Sequence, residues 1–212
     1  MGVTVKDIKV KKKGSYHHGD LRRALVEASL QIIADQGVEA LTLRSVGRST
    51  GVSHAAPYRH FTDKEALLAA VAIEGFNALK KVLDHAYESF PEDDPVNRLR
   101  EVGHAYVRFA VANPAYFRVM FGPYILDKSL HEGLFEASIS TLDVVAAGIA
   151  ACQEADIVRP GNARELALVA WSTVHGLSSL LLDGQIEMRS GELASRLTDS
   201  ALNVLQEGLA VR

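Results

Sequence analysis

The sequence predicts an all-α protein of about nine helices. From Asp20 onward apolar residues recur at three- and four-residue steps, and nowhere does an apolar–polar alternation last long enough for a strand. Apolar residues make up 48% of the 212, which suffices for a sizeable core.

Taken in order, Leu21, Ala24, Leu25, Ala28 and Ile32 stripe a first helix that Gly37 is placed to end. Thr42 is positioned to cap a short second helix reaching about Ser49. "TGVS" (Thr50–Ser53) reads as a turn, with Ser53 capping a third helix. "TDKE" (Thr62–Glu65) has capping-box spacing and opens a fourth helix to about Tyr87. "PEDDP" (Pro91–Pro95) is the clearest linker, and Asp94 with Pro95 starts a fifth helix. "NPAYFRVMFGP" (Asn113–Pro123) is a short apolar helix bounded by prolines. "SLHE" (Ser129–Glu132) is a second capping box. After it Leu130, Leu134, Ser138, Leu142, Val145, Ile149 and Cys152 stripe a long helix of about six turns. "RPGN" (Arg159–Asn162) breaks that helix, and Asn162 with Glu165 opens the next. "LLDGQIEMRSGE" (Leu181–Glu192) is a loop, and a last helix runs from about Glu192 to Leu209. The chain has no internal repeat.

Composition narrows the function. The single cysteine, Cys152, rules out an intrachain disulfide and fits a reducing compartment. It lies mid-helix without an activating base. There is no Gly-rich phosphate loop and no HExxH, and His17–His18 are adjacent with no Cys partner. No catalytic residue, metal or cofactor is therefore expected. The longest apolar run, Val144–Cys152, is too short for a bilayer, no apolar signal core opens the chain, and Lys6 stands where a myristoylation signal needs Ser or Thr. The expectation is a soluble cytoplasmic protein with no membrane partner.

Charge is unevenly spread. Residues 1–61 hold ten Lys and Arg against five Asp and Glu, with four of the eight histidines, whereas the remainder holds thirteen against twenty-one. A basic front, with "KVKKKG" (Lys9–Gly14) in a flexible tail over 1–15, points to a module that meets a polyanion.

Three short helices in the first sixty residues, the last two joined by "STGVS", have helix-turn-helix form. Gly51 permits the left-handed backbone that the turn needs. On a helical wheel Pro57 and Phe61 share an inward face, while Ala55, Ala56 and Arg59 lie opposite and Tyr58 and His60 flank them. Small alanines let the backbone approach base edges, Arg59 can reach a guanine, and Tyr58 and His60 can donate to phosphates on the groove walls. His54 sits in the first turn. Thr42 and Arg44 stand at the start of the second helix, Ser53 at the turn, and Lys64 is placed for another phosphate.

The stretch "ALTLRSVGRSTGVSHAAPYRHFTDKEALLAAV" (Ala40–Val71) resembles the DNA-binding domain of the tetracycline-repressor (TetR) family, over about Tyr16–Val71. The resemblance implies that Tyr58, His60 and Lys64 touch phosphates, and that Arg44, His54, Ala55, Ala56 and Arg59 read bases. Pro57 departs from the aliphatic residue that many members carry there. The resemblance further implies a DNA-binding domain over 16–71 and a helical effector-binding and dimerising domain over 72–212. "WSTVHG" (Trp171–Gly176) and "NPAYFRVMF" are similar to a W-x-x-x-H-G subclass of such second domains.

By the same implication the chain is a homodimer through its last two helices, along Leu166, Val169, Thr173, Leu177 and Leu180, then Leu193, Leu197, Ala201, Val204 and Leu205. It would bind a double-stranded, pseudo-palindromic operator and leave it on binding a small-molecule effector. Candidate effector contacts are His104, Phe109, Phe117, Met120, Phe121, Phe135, Trp171 and His175; for the aromatic residues and Met at helical spacing a plain core is the stronger reading, and His104 and His175, whose imidazoles need partners when buried, are the better candidates. A helical small-molecule binder without DNA binding is the alternative.

Overall fold

The computed structural model describes residues 21–187 and 191–211. The tail over 1–15, the His17–His18 pair, the first residues of the expected DNA-binding domain and residues 188–190 of the last loop lie outside them. Eight α-helices follow one another among the described residues: α1 (Leu21–Gln36), α2 (Leu43–Thr50), α3 (Lys64–Glu88), α4 (Pro95–Ala112), α5 (Pro114–Phe121), α6 (Leu134–Glu154), α7 (Ala163–Leu182) and α8 (Gly191–Leu209). Three single 3-10 turns, Val38–Ala40, Pro57–Arg59 and Lys128–Leu130, supplement them. The fold is all-α as expected, with eight α-helices rather than nine because the third helix is one of these turns. An isolated antiparallel bridge, Val158 to Ala210, ties the end of α8 to the α6–α7 connection.

Local chemistry sets most helix starts. Thr42 caps α2 in a reciprocal box with Ser45, each hydroxyl accepting the other residue's amide N–H at 2.9 Å. Asp94 and Asn162 cap α4 and α7 through the amides of Asn97, and of Arg164 and Glu165. Each such cap contributes about 1 kcal/mol. Two expected caps differ. Asp63, not Thr62, caps α3: its carboxylate accepts the Ala66 amide N–H at 2.8 Å, and Thr62 only donates its hydroxyl to that carboxylate. Asp127 captures both the amide and hydroxyl of Ser129, so no capping box forms there and α6 begins only at Leu134, after Gly133 with a φ of 77°. Leu130 consequently lies outside the helix and is 78% exposed.

α1, α2 and the start of α3 form a head around Leu25, Val26, Ile33, Leu41, Val46 and Leu67, all buried. The 25-residue α3 then runs on into the body, burying Phe76, Leu79 and Leu83 against α4, α5 and α6. Head and body thus share one continuous core, and residues 71 and 72 both lie within α3. α7 packs on α4, α6 and α8. A second apolar cluster, including Ile149, Cys152, Leu166 and Leu209, closes the far end of the body.

α6 and α7 are each long and apolar enough to cross a bilayer, which the short run Val144–Cys152 taken alone does not suggest. In the fold they pack against one another within the bundle. Most of their serines and threonines direct hydroxyls to carbonyls of their own helix, as Ser178 does to Val174 at 2.7 Å.

Candidate functional site

The expected third helix is a tighter object than an α-helix. The Ala56 amide donates to the backbone carbonyl of Ser53 (3.0 Å), Arg59 to Ala56 (3.2 Å), and His60 and Phe61 both to Pro57 (3.0 Å). Pro57 has no N–H, and in an α-helix its ring would meet the carbonyl four residues back, which belongs to Ser53. That carbonyl instead closes a turn with the amide three residues on, so the Ser53 hydroxyl caps nothing. This corrects the expectation of a Ser53-capped helix.

The wheel's inner face nevertheless holds. Pro57 is buried and Phe61 is 3% exposed, with the guanidinium of Arg22 over its ring at 5.4 Å. The approach requires a glycine on α2: a Cβ on Gly47 would sit 3.0 Å from Pro57 Cγ. Gly51 makes the connecting turn with a φ of 71°, in the left-handed region.

On the outer side Thr42, Arg44, Ser53, His54, Ala55, Tyr58, Arg59 and His60 are all exposed, and Ala56 is half-buried. Tyr58 keeps half of its surface open to solvent. Lys64 is half-buried at the start of α3, and its ammonium donates to the carbonyl of Val38 at 2.8 Å, which ties α3 to the 3-10 turn after α1. Of the expected residues, α2 and the following turn thus present two guanidiniums, two imidazoles and a phenol, a donor set suited to phosphates and base edges.

The body contains a cavity of about 200 Å3. Phe76 and Leu83 of α3, Tyr106 of α4, Phe121 of α5 and Trp171 of α7 wall it, α6 adds Ser138, Ile139, Thr141, Leu142 and Val145, and Lys128 reaches it from its 3-10 turn. Of the candidate effector contacts, Phe121 and Trp171 line it. Phe117 and His175 stand behind them in one aromatic cluster, with His175 stacked on Phe117 at 5.1 Å and edge-on to Phe121 at 4.7 Å. Phe109 and Met120 are core residues, 6% and 0% exposed. Phe135 is 52% exposed in the first turn of α6. His104 lies in a different place, lining a surface groove between α4 and α8, where it meets the Asp199 carboxylate at 3.0 Å.

Tyr106 organises the cluster, and the sequence reading missed it. Burial keeps the His175 imidazole neutral by lowering its pKa, and keeps the Tyr106 phenol protonated by raising its own. The hydroxyl accepts the Trp171 indole N–H at 3.1 Å and shares a 2.8 Å hydrogen bond with His175 Nδ1. The signal available was a phenol on the apolar face of α4, which demands a buried partner. Lys128 was missed as well. Nothing in its local pattern separates it from a surface lysine.

Two family models match the chain. One, described as bacterial regulatory proteins of the tetR family, covers residues 25–71, and the other, the tetracyclin repressor-like C-terminal domain, covers residues 99–205. The chain belongs to the tetracycline-repressor family. Among solved structures of this fold, a protein of unknown function from Rhodococcus sp. RHA1 superposes with a TM-score of 0.81 at 33% identity, over 94% of this chain and 100% of that one. An uncharacterised HTH-type transcriptional regulator of Bacillus subtilis, YobS, is 28% identical over 99 residues, 47% of this chain and 50% of its own. The chain spans about half the length of the curated relatives it matches. AibR, solved with isovaleryl coenzyme A and operator DNA, has the same fold, with a TM-score of 0.67 at 15% identity over 86% of this chain and 96% of that one.

Proposed function

We propose that this tetracycline-repressor family member is a cytoplasmic homodimer that binds a pseudo-palindromic operator and leaves it on binding a small molecule. The observation that carries the reading is the exposed set Arg44, His54, Tyr58, Arg59 and His60, held in one surface by the buried pair Pro57 and Phe61. Thr42, Ser53, Ala55 and Ala56 complete the DNA-facing surface, and Lys64 adds a phosphate contact with the ammonium protons left over from Val38. The head, 16–71, does the binding; the body, 72–212, falls in the W-x-x-x-H-G subclass, senses the effector and dimerises. The chain is a regulator rather than an enzyme.

A dimer supplies the two half-sites, whose centres lie one helical turn, about 34–36 Å, apart. An effector that binds better to a conformer with mis-spaced heads shifts the population away from DNA by its differential affinity. AibR, with ligand and operator in one complex, is a member of the fold in which both kinds of site exist.

A gel-shift assay on fragments upstream of the coding region tests the reading. At low salt a fragment is retarded. Tyr58→Phe weakens binding to every fragment by about 1 kcal/mol, the worth of one hydrogen bond. Arg59→Ala costs about 1–3 kcal/mol on the retarded fragment and narrows its margin over random DNA. Unchanged binding in both variants would remove this surface from the account. No retarded fragment would leave a helical small-molecule binder.

A further inference from the structure

Lys128 is the one charged residue among those lining the body cavity; aromatic and aliphatic side chains and two hydroxyls make up the rest. Its ammonium lies 5.1 Å from the centre of the Phe76 ring, and its hydrogen bond to the carbonyl of Met120 is long at 3.4 Å. Among the described residues no carboxylate pairs with it. Burial with no compensating charge lowers its pKa, so the site favours an incoming anion.

The wall restricts what that anion can be. One ammonium balances one negative charge, which suits a carboxylate better than a phosphate dianion. The absence of any Asp or Glu from the lining gives a cationic ligand nothing to pair with. Ser138 and Thr141 donate to carbonyls of α6 at 2.7 and 2.9 Å, but hydroxyls rotate and can turn toward a ligand. Tyr106 is already paired with His175, and Trp171 spends its N–H on Tyr106. They offer the ligand apolar surface. Size sets the last limit. A dry cavity of about 150 Å3 holds benzene, so about 200 Å3 holds roughly eight non-hydrogen atoms.

We propose that the cavity binds a small aliphatic or aromatic monocarboxylic acid, its carboxylate paired with Lys128 and its hydrocarbon part lying among Phe76, Phe121 and Trp171. This rests on the regulator reading and names the class of its effector. The segment that carries Lys128 is also fastened to the DNA-binding head. On one side of Lys128 the Leu126 amide donates to Glu65 Oε1 at 3.2 Å, and on the other His131 Nε2 meets the same oxygen at 3.2 Å. Glu65 lies in the first turn of α3, next to Lys64. A ligand that pulls Lys128 inward therefore loads a tie to the head.

Titration calorimetry on the full chain with sodium hexanoate and with its neutral isostere hexanamide tests the ligand class. Hexanoate binds at least about tenfold more tightly than hexanamide, as expected of a hydrogen bond to a charged group. Lys128→Met, which keeps the stem and removes the charge, abolishes that preference, and Lys128→Arg retains it. Equal binding of the two probes to the wild type, no binding of either, or a preference that survives Lys128→Met overturns the proposal. A gel shift with hexanoate separates it from the reading beneath it. Hexanoate releases the retarded fragment from the wild type and requires a higher concentration with Glu65→Ala. A retarded fragment with no hexanoate binding leaves the regulator standing and sinks the ligand class. Hexanoate preference with no retarded fragment does the reverse.

Discussion

His175 shows how one residue's environment sets its chemistry. Its imidazole stacks on Phe117, hydrogen-bonds the Tyr106 hydroxyl through Nδ1, and is held neutral by burial. A group whose folded pKa is depressed adds stability that is present above its unfolded pKa and is lost as pH falls through the lower folded value. Unfolding free energy measured by urea titration should therefore decline as pH drops below about 6.5, the unperturbed value. In His175→Gln, which keeps an acceptor for Tyr106 but cannot titrate, the decline should be shallower. Parallel curves for the two proteins would mean that His175 is not the group responsible. Trp171 and His175 were legible together because a four-residue spacing puts them on one helix face. Tyr106 was not, because it meets them from 65 and 69 residues away, a distance in sequence that no local spacing encodes.

Among the elements, the 3-10 turn Pro57–Arg59 departs most from what its sequence suggests. Glycine, serine and a mixed polar run read as a capped helix. Pro57 forbids the α-helical use of the Ser53 carbonyl, and the chain tightens instead. Its burial was legible all the same, since Pro57 and Phe61 are four apart and apolar. The close fit to α2 gives a test at this scale. Gly47→Ala puts a methyl 3.0 Å from Pro57 Cγ. Overpacking of this kind costs about 1–3 kcal/mol. It should also tilt the turn, so DNA affinity falls at least about tenfold while circular dichroism keeps its helical signal. Full affinity with normal stability would show that the contact does not position the turn. The caps divide by the same logic. Asp94 and Asn162 were legible because Pro95 marks the first helical position after the one and Glu165 stands three residues after the other. Thr62 and Ser129 were displaced by Asp63 and Asp127, whose carboxylates are stronger acceptors than a hydroxyl.

At the scale of the molecule, the charge split sets the first 61 residues, ten Lys and Arg against five Asp and Glu, apart from an acidic remainder, and the body leaves one apolar strip uncovered. Val169, Leu180 and Val204 are 53%, 47% and 71% exposed along α7 and α8, and beside them runs an open groove lined by Val169, Thr173, Ala201 and Val204. Gly176 has open space where a side chain would stand. The apolar stripes of both helices were legible in the sequence. Which residues the chain buries itself was not, because that depends on packing: Leu166, Leu202 and Leu209 go to its own core. A second copy covering the strip makes Val204→Glu a dimer-breaking change, since it would bury an unpaired charge. Sedimentation should then give a dimer for the wild type and a monomer for the variant. The most direct test of the whole account is a hydroxyl-radical footprint on a retarded upstream fragment. A dimer that reads two half-sites protects two patches with centres about 34–36 Å apart on one face of the duplex, both lost together in Val204→Glu. A single protected patch, or a footprint unchanged by Val204→Glu, would contradict a dimer that reads two half-sites.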